Sequence, residues 1–158
     1  MSAEKITFPQ VRRTIIGYLT AVVATYVAAS IFQSLSVLAT MERAGADIAM
    51  GKWLHTIWHD LYGFTFGGYV RYGQTIMIGF IIAMPTAATI HKFLGLPRGL
   101  LYPLAGAASM ATILYIVKLN FYNVTLFPGT RGMVGFGLQL LAGAFGGAVF
   151  ATLSKRRP

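Results

Sequence analysis

Residues 14–38 read TIIGYLTAVVATYVAASIFQSLSVL, without one charged side chain, inside an uncharged run of 28 residues bounded by Arg13 and Glu42. A helix rises about 1.5 Å per residue, so roughly 20 residues cross the ~30 Å hydrocarbon core of a bilayer. Lys5, Arg12 and Arg13 precede the run and Ala28-Ala29-Ser30 supplies small residues, as in a secretory leader. The apolar centre of such a leader is only about 7–15 residues long, however. The stretch therefore reads as a first transmembrane helix.

The pattern recurs three times downstream, from Arg71 to the His91-Lys92 pair, from Arg98 to Lys118, and from Arg131 to Lys155. These runs hold 19 to 23 uncharged residues. They are continuously apolar, where a membrane β-strand would alternate. The expectation is an all-α integral membrane protein, one domain over residues 1–158. Its four transmembrane helices, over about 14–38, 73–91, 99–117 and 133–153, would pack as a compact bundle.

Composition points the same way. Of 158 residues, 56% are apolar and 11% charged, against roughly 25% charged in a soluble domain. Mean hydropathy is +0.64. The absence of cysteine removes disulfide frameworks, thiolate metal sites and Cys nucleophiles. Thirteen Lys and Arg against four Asp and Glu give a net charge of +9. In so apolar a chain that excess reads as membrane topology rather than nucleic-acid binding. An inward N-terminus puts Lys5, Arg12, Arg13, Lys92, Arg98, Lys155, Arg156 and Arg157 in the cytoplasm. It leaves Arg43, Lys52, Arg71, Lys118 and Arg131 outside. Both termini are thus expected to be cytoplasmic, and short loops without Cys fit a bacterial inner membrane. Arg12, Arg13, Lys155, Arg156 and Arg157 would then gather where anionic headgroups lie.

The longest connection, residues 39–72, opens with a polar turn at Met41–Asp47. Over 48–62, Trp53, Leu54, Ile57, Trp58 and Leu61 recur at helical spacing, with Lys52, His55, Thr56, His59 and Asp60 mainly elsewhere. This predicts an outer amphipathic interfacial helix anchored by Trp53, Trp58 and Tyr62. Within the spans, small residues repeat every four positions: Gly17, Ala21, Thr25 and Ala29 in the first, Thr75, Gly79, Ala83 and Ala87 in the second. The third offers Ala105 and Ser109, the fourth Gly135, Gly143, Gly147 and Ala151. Such faces let helix backbones approach closely, and Gly143–Gly147 is a GxxxG match. The fourth face reads as helix packing within the chain or as contact with another subunit. Pro85 and Pro103 read as devices that shape their helices.

The polar inventory is short. No Asp, Glu, Lys or Arg occupies the centre of a span, which argues against a proton relay. Gln33, Gln74 and Gln139, with Lys118, Asn120 and Asn123, are expected to form an amide cluster toward the outside. His55 and His59 stand four apart, a two-ligand metal spacing for which Asp60, Asp47, Glu42 or another subunit would have to complete the set. Neither a phosphate-binding glycine loop nor a serine nucleophile elbow is present, and nothing calls for an organic cofactor.

Three functions compete. The first is a non-catalytic accessory or structural subunit of a larger inner-membrane complex, with lipids and other membrane subunits or copies of itself as partners. The second is a small homo-oligomeric transporter or channel, supported by the two prolines and the outer amides. In size and topology the chain resembles small four-helix transporter subunits, a likeness of fold alone. The third is a metal-dependent membrane enzyme using His55 and His59.

Overall fold

The structure is a computed structural model that describes residues 8–47, 50–66, 72–120, 128–130 and 132–155. It is all-helical: α1 (Phe8–Arg43), α2 (Met50–Phe66), α3 (Tyr72–Leu94), α4 (Arg98–Asn120), a 3-10 turn at Pro128–Thr130, and α5 (Met133–Leu153). No strand occurs among the described residues. Among the described residues, four of the five α-helices, all but α2, are long and apolar enough to cross a membrane.

Helix ends follow local chemistry. Gly45, at φ +91°, closes α1: its N–H donates to the Glu42 carbonyl (2.9 Å) while the Ala46 N–H reaches back to Met41 (3.1 Å). That pair of bonds satisfies carbonyls left over at a helix C-terminus, and glycine takes the left-handed conformation without a Cβ penalty. Gly95, at φ +65°, ends α3 with an N–H bond to the His91 carbonyl (3.0 Å). Three residues later α4 begins, so α3 and α4 form a tight hairpin.

α1 departs from the expected boundaries. It has 36 residues rather than the 25 of segment 14–38, and at 1.5 Å per residue it extends about 54 Å. The extra turn at its C-terminal end stays helical because Met41, Glu42 and Arg43 are good helix formers and no breaker precedes Gly45. α2 packs back on this half of α1. The Tyr26 hydroxyl donates to the Leu61 carbonyl (2.5 Å), and Ser34 Oγ donates to Asp60 Oδ2 (2.8 Å).

α5 is the centre of the packing, with α4 on one side and α1 on the other, and α3 lies against α4. Small residues make these approaches possible. Gly143 and Gly147 face α4, where a Cβ on Gly143 would come 2.8 Å from the Gly106 carbonyl carbon and one on Gly147 2.9 Å from Pro103 Cα. Gly146 faces α1 instead, where a Cβ would meet the Ala21 carbonyl oxygen at 2.9 Å. Gly17, Ala21, Thr25 and Ala29 are all buried, one line of small residues along α1. α3 buries Tyr72, Ile76, Phe80 and Met84, a strict four-residue repeat that gives it one inward face.

The outward faces are apolar too. Ile15, Leu19 and Val23 on α1, Ile78 and Ile82 on α3, and Leu141 and Phe145 on α5 are all at least half exposed. Surfaces this apolar are costly in water and cost nothing against acyl chains.

Candidate functional site

Two polar regions lie at opposite ends of the helices. At the end carrying the C-terminus of α1, Gln139 of α5 is 1% exposed and joins three helices. Its Nε2 donates to the Ala29 carbonyl of α1 (3.0 Å), and its Oε1 accepts from the Tyr72 hydroxyl of α3 (2.7 Å). Among the described residues, no hydrogen bond joins the side chains expected to form the amide cluster. Gln33 is buried separately, packed against Gly129 of the 3-10 turn, while Gln74, Lys118 and Asn120 are exposed. Asn120 uses its amide on its own helix, donating to the Ile116 carbonyl (2.9 Å). Asn123 lies outside the described residues. A buried amide must find partners, and for Gln139 a backbone carbonyl and a phenol were within reach. Ser30 Oγ, Gln33 Oε1 and Ser36 Oγ are buried oxygens of α1 without a hydrogen-bond partner.

α2 presents two faces that its sequence pattern merges. Leu54, Trp58 and Tyr62 are 70%, 73% and 65% exposed, whereas Trp53, Ile57 and Leu61 are half-buried toward the chain. Five residues separate Trp53 from Trp58, about 140° around a helix, so the two indoles cannot share one face. The Tyr26 and Ser34 tethers to Leu61 and Asp60 decide which face turns inward.

His55 and His59 stack on the exposed side of α2, ring centroids 6.3 Å apart. His59 Nδ1 lies 3.8 Å from Asp60 Oδ1, while the other carboxylate oxygen accepts from Ser34. Glu42 and Asp47 do not join them: among the described residues, no three His, Cys, Asp or Glu side chains gather in a set able to hold a metal ion.

At the opposite end the structure opens a cleft of about 820 Å³. α1 and α3 touch where the Tyr18 hydroxyl donates to the Met77 carbonyl and where Gly73 packs on the Tyr26 ring. Beyond that contact the cleft separates them. Its walls are Val11, Ile15 and Tyr18 of α1 and Phe80, Met84 and Pro85 of α3. Tyr102 and Phe150 form the floor, their rings meeting edge to face at 5.1 Å. Arg13, Arg98 and Lys155 line its polar end, with no acidic side chain in the lining.

Both arginines are held by the C-terminus of α5. Arg13 Nε donates to the Leu153 carbonyl (2.9 Å), and an Arg98 terminal nitrogen donates to Ser154 Oγ (2.9 Å). Helix C-termini carry partial negative charge and free carbonyls, so cations are stabilised there. The Arg98 guanidinium also stacks on Tyr102, 5.1 Å from the ring centroid. Its Nε is buried without a partner. Arg12 is exposed beside this end, and Arg156 and Arg157 lie outside the described residues.

From the sequence, Arg98 reads as a topology charge in the turn between two spans, and Gly106, Gly146, Tyr102 and Ser154 carry no functional assignment. A signal for Arg98 existed: it is the first residue of α4, where the helix dipole disfavours a cation. A cation at that position needs a compensating partner, here the end of α5.

The helix-packing candidates Gly135, Gly143, Gly147 and Ala151 are all buried within the chain, Gly135 against Gly129 and Ser36, the other three among the helices. Compared with known proteins, the chain matches no family model, no curated protein and no solved structure.

Proposed function

We propose that the chain is a non-catalytic accessory subunit of a larger inner-membrane complex, docking through the outward face of α2. The observation that carries this reading is the stripe Leu54, Trp58 and Tyr62, three large side chains at four-residue intervals and each at least 65% exposed. It lies on α2, the one α-helix among the described residues that is not a candidate span. Buried aromatic anchors dominate the energetics of protein interfaces, and Trp and Tyr are the residue types most often found there. The Gly143–Gly147 face, by contrast, packs against α4 within the chain. The basic end is proposed to meet anionic headgroups.

Purification in a mild detergent from the native membrane tests the reading. The wild-type chain should carry stoichiometric partner proteins, and Trp58→Ala with Tyr62→Ala should shed them while the chain itself stays monodisperse. A homo-oligomer without other proteins, unaffected by those substitutions, would favour the transporter or channel reading instead.

The associated topology places both termini in the cytoplasm and α2 outside, on the eight-to-five distribution of Lys and Arg between the two sides. A tag inserted at Gly45 should react with an impermeant reagent in intact cells, and a reporter after Pro158 should be cytoplasmic. The opposite labelling pattern reverses the orientation.

A further inference from the structure

We propose that the cleft between α1 and α3 holds one anionic glycerophospholipid. Its phosphate would sit at Arg13, Arg98 and Lys155, with an acyl chain running between Met84 and Phe150. The inference sharpens, and rests on, the headgroup contact proposed above for the basic end.

Shape comes first. At about 820 Å³ the cleft falls within the roughly 300–1,000 Å³ of small-molecule sites. It is lined by apolar and aromatic side chains except at one end. Ile15 and Ile81, at its edges, are 53% and 55% exposed, so its mouth opens on the apolar flank of the helices. In a bilayer that flank meets lipid chains, and a ligand would enter sideways without crossing water.

Charge selects the headgroup. Three cations line the polar end with no carboxylate among them, and the described acids are elsewhere. Asp60 is engaged by Ser34, and Glu42 and Asp47 follow the far end of α1. Among the described residues, no carboxylate neutralises these cations. Arg13 and Arg98 are fixed through their bonds to the end of α5, which leaves further guanidinium N–H groups for a ligand. A phosphodiester presents two non-bridging oxygens to such planar donors. Basic pockets between transmembrane helices bind anionic headgroups by this chemistry.

The full chain in detergent, offered equimolar phosphatidylglycerol and phosphatidylcholine, is weighed intact with its retained lipid by native mass spectrometry. The wild type should retain one phosphatidylglycerol in clear preference. Arg13→Gln and Lys155→Gln should each lower that preference about fivefold, as expected for one cation at an anionic surface. Arg43→Gln removes the same charge at the far end of α1 and should leave the preference unchanged. Ala88→Trp, an exposed position on the cleft wall, should reduce retention of lipid by filling the space without disturbing helix packing.

Equal loss from Arg43→Gln and Arg13→Gln would overturn the site while leaving diffuse headgroup attraction standing. Equal retention of the two lipids, or unchanged retention in Ala88→Trp, would overturn it as well. Displacement of phosphatidylglycerol by equimolar palmitate would reassign the cleft to a fatty acid and overturn the phospholipid. Co-purifying proteins play no part in this measurement, so the subunit reading stands or falls separately.

Discussion

Gly106→Ala is expected to lower the stability of the monomer by about 3 kcal/mol, the upper end of the usual cost of overpacking. A Cβ at Gly106 would stand 2.8 Å from the Gly143 carbonyl carbon and closer still to its oxygen. Both atoms belong to helix backbone, which cannot rotate away as a side chain would. The reciprocal change is equally blocked: a Cβ at Gly143 meets the Gly106 carbonyl carbon at 2.8 Å and Met110 Cγ at 2.5 Å. α4 and α5 would have to move apart, losing dispersion contacts along their whole length. Gly137→Ala is the matched control, since nothing lies within 4 Å of its Cβ position. Unfolding in mixed micelles by SDS titration, followed by circular dichroism, reads the difference. Equal midpoints for the Gly106 and Gly137 variants would show that the two backbones do not meet. A stable Gly143→Leu monomer whose assembly dissociates would move this face to a subunit contact.

Gln139→Leu is expected to cost about 2 kcal/mol, on the order of 1 kcal/mol for each of two hydrogen bonds between apolar helices. The substitution keeps the volume but removes the donor to Ala29 and the acceptor for Tyr72. The Tyr72 hydroxyl then loses Gln139 as its acceptor, and a buried hydroxyl that loses an acceptor carries a desolvation cost. Tyr72→Phe removes that hydroxyl. Combined with Gln139→Leu it should destabilise by less than the sum of the two single changes, because the shared bond is lost only once. The same SDS titration on the four chains of the cycle supplies the coupling energy. Strict additivity, or a Gln139→Leu chain as stable as the wild type, would remove Gln139 as the link between α1, α3 and α5.

Much of the architecture was legible because its cause is local. Four uncharged runs of 19 to 28 residues can satisfy their backbone groups in an apolar medium only as helices. Any arrangement of neighbours leaves that demand unchanged. The turn expected at Met41–Asp47 was readable only in part: α1 runs on to Arg43, and the chain turns at Gly45, which takes the left-handed conformation. The four-residue spacing of small side chains likewise marked a closely packed face on α1 and α5, since 3.6 residues per turn brings such positions together.

What the runs left open were the pairings between helices. Spacing along α5 says that Gly143 and Gly147 share a face but not that the face meets Gly106, which no repeat in α4 singled out. Three amides near one end invited a cluster, yet burial depends on rotation about each helix axis. That rotation turned Gln139 inward to a tyrosine and a carbonyl and left Gln74 outside. On α2, hydropathy could not choose between the Trp53 and Trp58 faces, and two hydrogen bonds from α1 made the choice. The cleft is the extreme case. Arg13, Arg98 and Lys155 belong to three separate stretches of chain and come together only because the N-terminal ends of α1 and α4 lie beside the C-terminal end of α5. Helix formation is a property of each segment, whereas the meeting of these cations is a property of how antiparallel helices align.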